Sequence, residues 1–151
     1  MAGITNFGGK FYISDAARND DAELTDFQNG SYILVPYVGN IGETGVNQQP
    51  ATYSTWDNPV LQKSKGEADA GNPEVEALDE PSAGMTQMLA ASVATNQNKY
   101  MFKILWSDGS VEYNRGLVMG PRLPKGANAD FKRAVFTLAC VQEPLFDQES
   151  I

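Results

Sequence analysis

Short runs of alternating apolar and polar residues dominate the chain, and they predict strands. Lys10 to Ile13 is an aromatic and β-branched run behind the Gly8-Gly9 pair. Ser31 to Val38 is a second run, in which Pro36 lacks an N–H for a ladder and so points to an edge or a bulge. Val60 to Asp79 reads as two strands about a turn between Gly66 and Gly71. Lys63 and Lys65 alternate on the first strand and Glu74 and Glu76 on the second, so pairing would set opposite charges across a ladder. The clearest unit is a hairpin from Tyr100 to Met119, turning at Asp108-Gly109, a dipeptide that favours a two-residue type I′ turn. That turn predicts Trp106 opposite Val111, Leu105 opposite Glu112, Ile104 opposite Tyr113 and Lys103 opposite Asn114. One face then buries Phe102, Ile104, Trp106, Val111 and Tyr113; the other, with Met101, Lys103, Leu105, Glu112 and Asn114, meets water. Phe131 to Val141 is the last strand.

One stretch has helical spacing. Met85, Met88, Leu89 and Val93 fall on a single stripe and predict a core-facing helix over about 82–95, with Ser82 as N-cap. Asp15 to Gly30 is polar and reads as a surface loop. Asn40 to Asn58 has no clear period and is broken by Gly42, Gly45 and Pro50. A loop of that length is either functional or an extension ordered by a partner, and Tyr53 and Trp56 at its far end either meet an interface or tuck back onto the core. Gly120 to Gly126 is a rigid basic loop. The expected fold is therefore mainly β. It is an antiparallel β-sandwich or partly rolled barrel of about seven strands, with one flanking helix and a long loop at about 40–58.

Composition narrows the function classes. The 151 residues suit one domain over 1–151, with no room for a further C-terminal domain. Without His there is no imidazole base or ligand, and one Cys forms neither an internal disulfide nor a thiolate zinc site. Cys140 is expected to be a reduced core thiol. No signal-peptide pattern opens the chain, and no run approaches the ~18 apolar residues of a membrane span. No phosphate-binding loop, dinucleotide fingerprint or nucleophile elbow occurs. A carboxylate pair could serve a hydrolase, but any acidic β protein offers one. Asn19-Asp20-Asp21 lacks the alternation of a calcium loop. The expectation is no enzyme and no cofactor.

The net charge is −8 and uneven. Residues 1–98 hold four basic and thirteen acidic side chains, whereas 99–151 are nearly balanced. Such a surface disfavours specific nucleic-acid binding. Six acids between Glu67 and Glu80, with no base among them, read either as a solvated face or as a wall that repels a polyanion.

The block from Lys99 to Pro121 resembles the corresponding hairpin of lambda-type siphophage tail tube proteins. Tyr100, Asp108, Gly109, Tyr113, Arg115 and Gly116 stand at its aromatic, turn and Arg-Gly positions. The preceding helix and the strand from Phe131 to Val141 follow the same order, and that order covers most of the chain. The resemblance implies a β-sandwich subunit that self-assembles into stacked hexameric rings. Double-stranded DNA and the tape measure protein pass through such a tube, and tail tip and terminator proteins join it. No membrane is involved; the place is the virion tail, after assembly in the host cytoplasm. Some family members carry an immunoglobulin-like C-terminal domain, and this chain is expected to lack one. Alternatives are a type VI secretion or contractile-tail tube protein, a distal tail ring component of the same fold, or a monomeric β-barrel binding module.

On the tube reading the bore should be acidic, so that it conducts DNA without holding it. The candidate lumen residues are Glu74, Glu76, Glu112 and Asn114. The candidate contacts between subunits or rings are Glu43, Val46, Gln48, Tyr53 and Trp56 on the long loop, with Arg122 and Lys125 on the basic loop.

Overall fold

The computed structural model describes residues 8–54, 56, 57, 59, 60 and 62–148. The chain start, the Asn58 end of the expected loop and residues 149–151 lie outside the described residues. In chain order the elements are β1 (Lys10–Ala17), α1 (Leu24–Gln28), β2 (Tyr32–Val35), β3 (Val38–Ile41), β4 (Asn47–Tyr53), β5 (Gln62–Asp69), β6 (Glu74–Leu78), α2 (Ala83–Ala91), β7 (Tyr100–Leu105), β8 (Ser110–Arg122), β9 (Arg133–Cys140) and β10 (Leu145–Gln148). The protein is mainly β and antiparallel, as the alternation predicts. One sheet runs in the order β2-β1-β7-β8-β9-β6-β3, with β10 added to β8; β4 and β5 form a second, two-stranded sheet.

The strand expected over Ser31 to Val38 is two strands. Pro36 cannot donate to a ladder, and Tyr37 takes a left-handed φ of 60° that redirects the chain. β2 and β3 stand at opposite ends of the sheet order, yet only these two residues separate them. The three peptide links from Val35 to Val38 span at most ~11 Å, so the sheet must roll until its edges approach. The result is a barrel left unclosed at the β2–β3 seam.

Phe11, Ile13, Val35, Val75, Phe102, Phe136 and Leu138 fill the rolled interior, and Met85 and Met88 of α2 pack against them. The Phe11 and Phe102 rings stack with centroids 5.9 Å apart. Ser82 caps α2 as expected, its Oγ accepting the Met85 N–H at 3.1 Å. The buried stripe differs from the predicted one. Gly84, Met85, Met88 and Ala91 face inward, while Leu89 and Val93 are exposed. The small side chains at 84 and 91 let the helix approach the sheet, so the contact runs through them.

Asp15 to Gly30 is not all loop: β1 continues to Ala17 and α1 follows. The Glu23 N–H donates to Asp26 Oδ2 at 2.9 Å, which closes the start of α1. Phe27 plugs the helix into a second cluster with Met101, Val111 and Tyr113, partly covered by Leu145 of β10. Five residues are too few to show a helical period in sequence. This outer cluster and the rolled interior bury both faces of β7 and β8.

The 100–119 hairpin forms, with its register shifted by one. Observed partners are Leu105 with Val111, Ile104 with Glu112, Lys103 with Tyr113 and Phe102 with Asn114. The Trp106 N–H donates to Ser110 O at 2.9 Å and the Gly109 N–H to Trp106 O at 3.0 Å. The loop is therefore Ser107-Asp108-Gly109, and Gly109 at φ 90° adopts the left-handed conformation that a three-residue hairpin requires. One extra loop residue moves Glu112 and Asn114 to the side of Phe102 and Ile104, the core side. Asp108 Oδ1 accepts from the Ser110 hydroxyl (2.7 Å) and N–H (3.0 Å), which hold its carboxyl below the usual range. That contribution to the turn is full above the ordinary carboxylate value and is lost as pH falls through the lowered one.

The expected pairing of the two halves of Val60 to Asp79 does not occur. β5 pairs with β4, and β6 lies between β9 and β3. Lys63 and Lys65 stand opposite Thr52 and Pro50, while Glu74 and Glu76 stand opposite Thr137 and Val135.

Candidate assembly interface

β4 and β5 make an arm. Every residue of β4 is exposed, and β4 pairs with β5 alone. Seven residues of strand extend ~23 Å. A lone two-stranded hairpin is marginal in water, so this one needs a surface to lie on. The register divides it into two faces. Ala51 and Tyr53 share one with Ser64 and Gln62; Pro50 and Thr52 share the other with Lys65 and Lys63. At the arm's base Glu43 is exposed and Val46 half-buried; Gln48, on the arm opposite Ala68, is exposed. Tyr53 is 71% exposed and Trp56 fully so. The expected long loop is thus largely a strand, and its aromatics do not tuck back onto the core.

The acidic stretch is partly neutralised. Arg122 reaches Glu74 at 2.5 Å, Arg133 reaches Glu76 at 3.2 Å and Lys132 reaches Asp79 at 3.3 Å. These pairs are solvent-accessible and add little stability. Their effect is on the field: a row of acids in sequence becomes a mixed-charge face, because the end of β8 and the start of β9 supply the cations. Arg122, a candidate for the contacts between rings, lies beside Glu74, a candidate lumen residue. Lys125 is exposed on the loop between β8 and β9.

Glu112 and Asn114 are 6% and 3% exposed, and the Asn114 amide donates to Glu112 Oε2 at 2.8 Å. Glu112 borders a cavity of about 320 Å³ near the open seam, with Phe11, Val38, Ile41, Ile104 and Trp106 among its walls. Burial, followed by the charges of Glu112 and Asp69, pushes the Cys140 thiol up to about 11. Native protein at pH 8 is accordingly expected to resist a disulfide-exchange reagent over an hour, with one thiol titrating promptly after denaturation; fast native labelling would contradict the burial.

Arg115 is a buried clamp that sequence reasoning left in a motif without a role. Its side chain is 3% exposed. Nε donates to Gln142 Oε1 at 2.9 Å, Nη1 to the carbonyls of Arg18 and Asn19 at 3.2 Å each, and Nη2 to Asp21 Oδ1 at 2.6 Å. The next residue, Gly116, lies where a Cβ would meet the backbone of Ala139 and Cys140 at 2.8 Å. Arg-Gly here thus joins the 18–21 segment to β8 and lets β9 pack closely. The detectable signal was an arginine inside a strand of otherwise buried residues.

Among the described residues no group of three His, Cys, Asp or Glu could hold a metal ion, and no helix is long and apolar enough to cross a membrane. What the geometry presents is surface: an uncovered arm, exposed aromatics and a mixed-charge face.

The fold, a rolled antiparallel sheet with a projecting hairpin, is shared with solved components of contractile injection systems. The particular likenesses run nearly end to end. A sheath/tube terminator of an extracellular contractile injection system, PVC, in the extended state matches with TM-score 0.71 at 11% identity, over 97% of this chain and 98% of that one. The anti-feeding prophage tube-terminating cap gives TM-score 0.63 at 10% identity, over 99% and 93%. A chain of the six-fold symmetrised anti-feeding prophage baseplate gives 0.62 at 8%, over 93% and 91%. At such identities the shared property is the fold. No family model matches the sequence, and no curated protein matches it.

Proposed function

We propose that the chain is a non-enzymatic structural subunit of a phage-tail-like tube, acting as a self-assembled ring within the tube or at its end. The observation that carries this is the whole-length fold likeness to a tube terminator, with almost no residue of either chain left over. The arm supports it independently, since an exposed hairpin with bare aromatics is a poor design for a monomer and a usual one for an assembly. The finer reading is a hexameric ring that other tube subunits, a tape measure protein and tip or terminator proteins contact. DNA would pass its centre without specific binding, within a virion tail assembled in the host cytoplasm.

Two placements differ in outcome. A terminating ring stops after one layer, whereas the repeated tube subunit that the hairpin resemblance implies polymerises. Negative-stain microscopy of the purified protein separates them: short rings support the first, long tubes the second, and monomers at every concentration overturn both. For the bore, Glu74 and Glu76 remain the candidates, each already beside an arginine. Glu112 and Asn114 are enclosed within the protomer and offer a wall nothing.

Each copy carries −8, so packing copies together concentrates like charge. Raising salt from 20 to 300 mM is expected to increase the assembled fraction several-fold by sedimentation, because screening weakens that repulsion. Assembly that falls steadily with salt would show that attraction between opposite charges drives it instead.

A further inference from the structure

Charge is missing from two parts of this surface, and the two match. In a chain that is 20% charged, Pro81 to Asn98 contains no charged residue at all. Thr44 to Gln62 contains only Asp57. The first segment is α2 with its flanks. Its inner face is used by the core, and its outer face is uncharged: Leu89 is 41% exposed, Val93 just beyond the helix is 51% exposed, and Ala90 and Thr86 lie beside them at the surface. Exposed aliphatic side chains on an uncharged face gain by being covered. The second segment holds β4, and at the outer end of the arm Ala51, Tyr53, Gln62 and Ser64 form an uncharged face; Asp69, opposite Asn47, stands at the base of the arm, and the two lysines stand on the opposite face. Loss of charge combined with exposed aromatic and aliphatic side chains is the composition of an interface core.

Neither surface covers the other within one protomer, since Tyr53 and Leu89 are both exposed there. Resting on the self-assembly reading, we propose that the uncharged face of the arm of one copy packs on the outer face of α2 of another copy. Tyr53 is the anchor and Leu89 and Val93 are its seat. Donor and seat are different surfaces of the same chain, so the contact is heterologous. It propagates from copy to copy and closes into a ring when the rotation allows. Lys63 and Lys65 stay outside the contact. The surface also supplies the support that the two-stranded arm lacks.

The test is cysteine cross-linking under assembly conditions. Tyr53→Cys and Leu89→Cys proteins are mixed and mildly oxidised, with each variant alone and a Thr52→Cys plus Leu89→Cys mixture as controls. Buried Cys140 does not compete. At least tenfold more mixed dimer in the first mixture than in any control is expected. As a second measurement, Leu89→Glu should lower the assembled fraction at least tenfold while leaving the circular dichroism spectrum unchanged. Rings that form normally without excess Tyr53–Leu89 mixed dimer overturn this contact and leave the self-assembly reading standing. Absence of both cross-links and assembly in every condition overturns the two together.

Discussion

Replacing residues 47–69 with a short glycine-serine linker is expected to give a folded monomer that no longer assembles. Asn47 and Asp69 are partners across the arm's ladder, so a cut at that rung can be bridged without moving β3 or β6. Among the described residues, none of the buried hydrophobic core lies between them. The melting temperature should accordingly stay within about 3 °C of the parent, because surface changes of this kind cost little. Assembly should fall below detection, since both the reaching element and its aromatic anchor are gone. Size-exclusion chromatography with light scattering reads the second result and calorimetry the first. Rings of normal size from the armless protein would show that the arm is ornament; a collapse in melting temperature would show that it belongs to the core.

Arg115→Ala is expected to have the opposite profile: a large loss of stability from one buried side chain. Truncation removes the charged donor that serves the Arg18 and Asn19 carbonyls and Gln142 Oε1. Hydrogen bonds to a charged group contribute roughly 1.5–3 kcal/mol, and stranded buried acceptors add to the loss. The Asp21 partner adds little, since its side chain is 86% exposed and solvent screens the pair. A net cost of about 3 kcal/mol corresponds to roughly 10 °C in melting temperature for a chain of this size. Arg115→Lys should recover only part, because an ammonium cannot donate in four directions from one plane. A melting temperature unchanged by Arg115→Ala would mean that the 18–21 segment is held by something else.

Much of the fold was legible because alternation marks half-buried strands whatever their neighbours. β1, β7, β8 and β9 follow directly from it, and Ser82 announces α2. Three things were hidden, each for a physical reason. The hairpin register turned on whether Asp108-Gly109 makes a two- or a three-residue loop, and one residue of difference carried Glu112 and Asn114 from the water side to the core side. Strand pairing is long-range: nothing local tells Lys63 to face Thr52 in place of an acid on the following strand. Helix α1 is only five residues long, and Phe27 is its single buried residue.

The functional surface was readable in outline and not in detail. Tyr53 and Trp56 are exposed rather than tucked onto the core, and the segment that carries them is mostly strand where no period was visible. The acids between Glu67 and Glu80 read in sequence as an unbroken acidic run, either a solvated face or a wall; three of them face cations that come from residues more than forty positions away in the chain. Charge clusters in sequence are therefore weak guides to the field of a sheet protein, because each strand's neighbours are set by topology.

Cryo-electron microscopy of the purified wild-type protein at high concentration and moderate salt decides the matter. Closed rings with an open centre, each arm lying on the next copy, are expected. A monomer under all conditions, or an assembly whose contacts avoid the arm and leave no channel, would contradict the proposed role.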